Sequence, residues 1–191
     1  MSSQKNVLEA ILGSTRTVFN IQSLRMLTAS TDSQKLSNSL HYYVKEGKIR
    51  NPRRGIYTKA TYDEREMACC LFRPAYISLE YVLQRFGVVF QYDEAITCVS
   101  YLNRTVEIDG REYQFRSINP ELWIGMDGIE RHDNILIASP ERAFLDMLYL
   151  SSGNCYFDNL NSLDKTKVRQ LLPFYHSIVL TERTTELLNK R

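Results

Sequence analysis

The sequence predicts an α+β protein in two parts. An N-terminal winged helix-turn-helix spans residues 1–60, and a mixed domain over 61–191 carries an antiparallel sheet of about four strands packed by helices. Three observations predict it. Helical periodicity runs into a basic hairpin pattern before residue 60. The charge changes sign at about the same place. Beyond it, short strand patterns with a tight-turn signal lie between apolar helical stripes.

With 43% hydrophobic and 24% charged residues over 191 positions, the chain has the composition of a globular protein with a sizeable core. It has no apolar run of the ~18 residues a membrane span needs. Met1-Ser2-Ser3-Gln4-Lys5-Asn6 is polar and lacks the apolar region of a signal peptide, so a cytoplasmic protein is expected. Net charge is only +2, but residues 1–60 hold ten Lys and Arg against three Asp and Glu, a balance of +7. The remainder holds fourteen against nineteen, or −5. A basic first third on an acidic remainder points to a polyanionic partner for the first part.

Helical spacing of Val7, Leu8, Ile11 and Leu12 predicts a first helix from about Ser3, ending at Gly13. Thr17-Val18-Phe19 is β-prone and suits a small third strand of a winged fold. Asn20 then caps a second helix with Ile21, Leu24 and Leu27 on one face. A third helix starts at Thr31 or Asp32, where Thr31-x-x-Gln34 has the form of a capping box. Its apolar stripe is Leu36, Leu40, Tyr43 and Val44, and Gly47 closes it at C′.

The opposite face holds Ser33, Gln34, Lys35, Ser37, Asn38, His41, Tyr42 and Lys45, with no acid among them. Gln and Asn pair with adenine edges, and Lys and Arg with guanine or phosphate, so this face suits a major groove. A merely solvated helix face is the competing reading, though such faces are usually richer in Glu. The segment Lys45–Tyr57 then carries five bases against one acid. Lys48-Ile49-Arg50 and Gly55-Ile56-Tyr57 read as strands, with Asn51-Pro52-Arg53-Arg54 as their turn. Ile49 and Ile56 are expected inward. Lys48, Arg50, Arg53 and Arg54 are expected outward, towards duplex DNA.

In the second part, residues 63–72 read as a helix with an acidic first turn, stopped by Arg73-Pro74. A short strand-like entry at Tyr76 leads into a helix with Leu79, Val82, Leu83 and Phe86 as its stripe. Strand patterns follow at Ala95–Tyr101, Arg104–Ile108, Tyr113–Ile118 and Ile135–Ala138, with a tight hairpin at Asp109-Gly110. Ser139-Pro140-Glu141 combines an N-cap serine, a proline at the first helical position and an early acid. The helix it opens is apolar on most sides and should be central, as far as the break at 151–154. Two further helices are expected at about 164–172 and 177–189.

Three blocks together resemble the AbiEi antitoxins of type IV abortive-infection toxin–antitoxin systems. They are Gly47-Lys48-Ile49 with Arg53-Arg54-Gly55-Ile56-Tyr57, then Tyr76-Ile77-Ser78-Leu79-Glu80, then Ala138-Ser139-Pro140-Glu141-Arg142-Ala143-Phe144-Leu145-Asp146. Order and spacing match, and the blocks cover most of the chain. The resemblance implies an N-terminal winged helix-turn-helix that binds inverted repeats in double-stranded operator DNA upstream of its own operon and represses it. It also implies a C-terminal domain that counteracts a nucleotidyltransferase-like toxin, without a stable complex being required. The family brings no catalytic residues, and no cofactor is expected.

Other chemistries find little purchase. Cys69 and Cys70 are adjacent, Cys98 and Cys155 are isolated, and none has ligand-like spacing to His41, His132 or His176, so four reduced, buried thiols are expected. Gly13-Ser14 lacks the paired aspartates a nucleotidyltransferase loop needs. Asp93, Glu94, Glu107, Asp109 and Glu112 suggest a nuclease-like cluster, but Arg111 and Gln114 stand where a lysine belongs. Ser139, His132 and Asp146 do not make a convincing triad, because Ser139 is an N-cap and His132 sits in the polar run 130–133, read as a turn. Arg142 and Asp146, at i and i+4, read as a buried ion pair. Trp123 and Ile124 are a possible partner site, although a lone tryptophan is more often core. Two alternatives remain: a winged-helix regulator with a ligand- or partner-sensing C-terminal domain and no toxin, and a metal-dependent nuclease.

Overall fold

The computed structural model describes residues 6–123, 126–151 and 155–189. The start of the first helix near Ser3, most of the break at 151–154, the Trp123 side chain and Ile124 lie outside the described residues. The protein is a mixed α+β chain of two compact units, Met1–Leu71 and Phe72–Arg191. Among the described residues no helix is long and apolar enough to cross a membrane.

The first unit runs α1 (Val7–Leu12), β1 (Val18–Asn20), α2 (Ile21–Thr28), α3 (Ser33–Lys45), β2 (Arg50–Arg53), β3 (Ile56–Thr58) and α4 (Glu64–Leu71). Local chemistry starts and stops each helix. The Asn6 side chain accepts from Leu8 N, and Asn20 forms a reciprocal capping box with Ser23. At α3 the capping residue is Asp32 rather than Thr31; its carboxylate accepts from Gln34 N and Lys35 N, which an anion at a helix N-terminus does well. Gly47, with φ of +66°, lets the chain leave α3 in the left-handed conformation a side chain disfavours. Ile11, Phe19, Leu24, Leu36, Leu40 and Ile49 form the core, with Val7, Leu8, Tyr43, Val44 and Tyr57 packed around it. Full burial of such a side chain contributes about 1.5–3 kcal/mol.

Three antiparallel strands in the order β1-β3-β2 close the unit. The hairpin differs from the sequence expectation. Its turn is Arg54-Gly55, and Asn51, Pro52 and Arg53 belong to β2. A proline is tolerated there because β2 is the edge strand, where an amide is not required on the outer side. The register is irregular between Arg50 and Arg53. There the Asn51 side chain donates to Arg53 O and Ile56 O, at 2.8 and 2.6 Å, which holds the irregular stretch together.

Helix α4 belongs with this unit because of Glu66. Its buried carboxylate accepts from Thr17 N and Thr17 Oγ1, each at 2.6 Å, and from Val18 N at 3.0 Å. The Thr17 hydroxyl in turn accepts from Asp63 N at 2.9 Å. The start of α4 is thereby fastened to the start of β1.

The second unit runs β4 (Ala75–Ile77), α5 (Glu80–Arg85), β5 (Ile96–Ser100), β6 (Arg104–Ile108), β7 (Arg111–Ser117), β8 (Ile129–His132), β9 (Ile135–Ala138), α6 (Pro140–Leu150), α7 (Lys165–Leu171) and α8 (Ile178–Asn189). Its sheet has six strands in the order β6-β7-β5-β4-β9-β8. This corrects the expected four-stranded antiparallel sheet: β4 with β9 and β5 with β7 are parallel, the other neighbours antiparallel. The whole of β5 is buried, the pattern of an interior strand rather than a one-sided one. His132 is not in a turn; it ends β8, an edge strand whose residues Glu130, Arg131 and His132 are exposed. Charged side chains on an edge discourage pairing with another sheet. Asp109 and Gly110 both have positive φ, 53° and 79°, as the tight β6–β7 hairpin requires. Ser139 caps α6 with Pro140 in the first turn, and α6 is buried over most of its length. On α5, Val82 and Leu83 are buried beside Leu79, but Phe86 is half exposed, because the helix has ended before it. Cys69 and Cys98 are buried, whereas Cys70 and Cys155 are only partly so.

Candidate nucleic-acid interface

The geometry of α3 separates two faces. At about 100° per residue, Gln34, Asn38, His41 and Lys45 fall within a stripe roughly 60° wide. Leu36, Leu40 and Tyr43 lie on the other side of the helix, and the two leucines are almost fully buried. Ser33, Gln34, Lys35, Ser37, Asn38, His41, Tyr42 and Lys45 are all exposed. Two contacts order this face. Gln34 Nε2 donates to Asn38 Oδ1 at 3.0 Å, and the Tyr42 and Tyr43 rings meet edge to face with centroids 5.4 Å apart. Tyr43 Oη also donates to Asn6 Oδ1 at 3.0 Å, which ties α3 to the start of α1.

The hairpin continues the polar surface. Lys48, Arg50 and Arg54 are exposed, Arg53 is half-buried, and Ile49 and Ile56 point into the core. The Arg50 guanidinium sits over the Tyr62 ring, 5.9 Å from its centroid, a contact that orients the cation. Arg54 and Gly55 form the tip. Between Ser33 and Tyr62 the chain holds seven bases and a single acid, Glu46. Not every base contributes to the surface. Lys59 Nζ donates to Leu12 O and Ser14 O, at 3.1 and 2.6 Å, so it closes the C-terminal end of α1. Nearby, the Arg65 hydrogen bond holds the Asp63 carboxyl below the usual carboxylate range.

All twelve residues singled out in the sequence thus lie on two neighbouring pieces of one unit, α3 and the hairpin that follows it. Sequence reasoning missed Asn51 and Tyr62. Asn51 carried a signal, since an Asn beside a Pro is a backbone-bonding residue, but it was read as a turn residue. Tyr62 carried none, because nothing local links it to Arg50.

The second unit puts its charge inside. Arg142 and Asp146 are buried, and Arg142 Nε donates to Asp146 Oδ1 at 3.1 Å. The same carboxylate accepts from Tyr76 Oη at 2.9 Å, Ser78 Oγ at 2.8 Å and Tyr175 Oη at 2.6 Å. Arg142 also donates to Tyr76 Oη and to Asp127 O, each at 3.2 Å. Burial, then the Asp146 charge, push both tyrosine hydroxyls well above the ordinary range, against the opposing pull of Arg142. Burial is the largest single influence on Arg142 and works against its charge, but Asp146, Tyr175 and Tyr76 together outweigh it and the guanidinium stays above its ordinary value. This network joins β4, α6 and the turn after α7.

The imagined catalytic sets are not assembled. Ser139 Oγ accepts from Arg142 N as a cap, and His132 Nε2 lies 3.1 Å from Glu130 Oε2 on the exposed strand. Glu107 faces Glu112 across the hairpin, while Arg111 donates to Glu94 O at 2.9 Å. Among the described residues no group of three or more His, Cys, Asp or Glu is placed to hold a metal ion. Compared with known proteins, the chain matches no family model and no curated sequence.

Proposed function

We propose that the chain is a DNA-binding autorepressor whose first unit is a winged helix-turn-helix, and that it is also the antitoxin of a type IV toxin–antitoxin pair. The observation that carries the DNA-binding reading is the exposed, acid-free face of α3 running into an arginine-bearing hairpin. In this reading α3 lies in the major groove, and Arg53 and Arg54 on the hairpin meet phosphate or the minor groove. Residues 72–191 act against a nucleotidyltransferase-like toxin, with no stable complex needed. That half rests on the three sequence blocks. Two of them meet in space, since Tyr76 and Ser78 of one bond Asp146 of the other.

The test is a gel shift of the full chain with the DNA upstream of its own gene over a range of salt. Affinity should fall with a log–log slope of about −0.9 for each phosphate contacted. Replacing Arg53 and Arg54 with alanine should weaken binding to every sequence and flatten the slope by about two such contacts. A slope and affinity left unchanged would remove the hairpin from the interface. For the antitoxin half, a nucleotidyltransferase-like reading frame beside the gene is expected. Rescue of growth from its product should be lost when residues 72–191 are deleted.

A further inference from the structure

We infer, on the DNA-binding reading above, that Gln34 and Asn38 form one composite reader of adenine. The two amides are exposed, one turn apart at the start of α3, and bonded to each other through Gln34 Nε2 and Asn38 Oδ1 at 3.0 Å. That bond uses one donor and one acceptor of the pair. The groups outside that bond, on two exposed side chains, are the acceptor Gln34 Oε1 and the donor Asn38 Nδ2. Reversing both amides exchanges their roles and leaves the same set, one acceptor and one donor.

Of the four bases in the major groove, adenine alone offers a matching pair, the N6 amino donor beside the N7 acceptor. Guanine presents two acceptors, O6 and N7, and would set O6 against the Gln34 oxygen. Cytosine offers a donor without the adjoining acceptor, and thymine an acceptor beside a methyl group. A lone Asn or Gln can make this contact, but its amide rotates freely. Here each amide fixes the orientation of the other before DNA arrives, so less freedom is lost on binding. The placement is also right, because the first turns of a helix in this docking mode approach base edges. His41 and Lys45 extend the same stripe towards its far end.

The inference is tested by selecting duplexes from a randomised pool with the full-length chain and its Gln34→Ala, Asn38→Ala and doubly substituted variants. Both sites are exposed, so the circular dichroism of all four proteins should coincide. The wild-type consensus should contain an adenine whose preference, roughly 5- to 150-fold over other bases, is lost in either single variant at the same position. The double variant should lose no more than either single one. Two singles that relax different positions, or that keep the wild-type consensus, overturn the composite reader and leave DNA binding standing. A wild-type chain that enriches no sequence overturns the DNA-binding reading, and the inference with it.

Discussion

The first unit packs Ile11, Phe19, Leu24, Leu36, Leu40 and Ile49 into an apolar core and leaves Lys35, Lys45, Lys48 and Arg54 in solvent. The second unit places Arg142 and Asp146 at its centre and surrounds them with hydroxyls. Exposed cations cost little to fold and remain available to a partner. A buried pair costs desolvation on both sides, and what it returns is fixed geometry. On the proposed reading the exposed basic residues of the first unit serve binding, whereas the buried Arg142–Asp146 pair serves architecture. Removing charges from each unit in turn tests this division.

The largest effect is expected at Asp146. Alanine there removes the counter-charge of a buried guanidinium and a carboxylate acceptor of the Tyr76, Ser78 and Tyr175 hydroxyls. A loss of about 3–5 kcal/mol is expected in urea unfolding of the full chain. Arg54→Ala should change stability by no more than about 0.5 kcal/mol. Comparable losses from the two substitutions would erase the contrast between the units.

Alkali should discriminate next. The Tyr76 and Tyr175 hydroxyls titrate above their unfolded value because burial, and then Asp146, disfavour the phenolate. Their contribution is complete below the unfolded pKa of about 10 and is lost as pH rises towards the folded values. Each tyrosine then removes up to about 1.4 kcal/mol per pH unit. Tyr76→Phe should make the decline above about pH 10 less steep in a series of urea titrations. A stability that ignores pH in that range would mean the hydroxyls are not held as described.

What the sequence disclosed follows the range of the interactions. Asn20, Ser139 with Pro140, Gly47, and Asp109 with Gly110 act on residues within a few positions, and each does what its type predicts. The i, i+4 pair of Arg142 and Asp146 was legible for the same reason. Its other partners were not, because Tyr175 comes from the turn after α7 and Tyr76 from a strand that looked like the lead into a helix. The two parallel pairings and the strand at Ile129–His132 depend on neighbours distant in sequence, and a short, charged edge strand looks like a turn. Pro52 misled by its type, since its meaning depends on whether β2 lies at the edge. The exposed face of α3 was legible because helical period alone separates it from Leu36 and Leu40.

A smaller effect than at Asp146 is expected at a place where the first unit resembles the second. Glu66 is buried too, but among its partners are the backbone amides of Thr17 and Val18 and the Thr17 hydroxyl. These are neutral donors at the start of a strand, and Glu66→Ala leaves them without that acceptor. A loss of about 1–3 kcal/mol is expected, smaller than at Asp146. Thr17→Val removes the hydroxyl alone and should cost about 0.5–1.5 kcal/mol. Neither change touches Lys35, Lys45, Lys48, Arg53 or Arg54, so the dependence of DNA affinity on salt should keep its wild-type slope while the unfolding midpoint falls. A slope that flattens in Glu66→Ala would mean that the α4–β1 joint steers the basic face, and charge in the first unit would then depend on a buried carboxylate much as it does in the second.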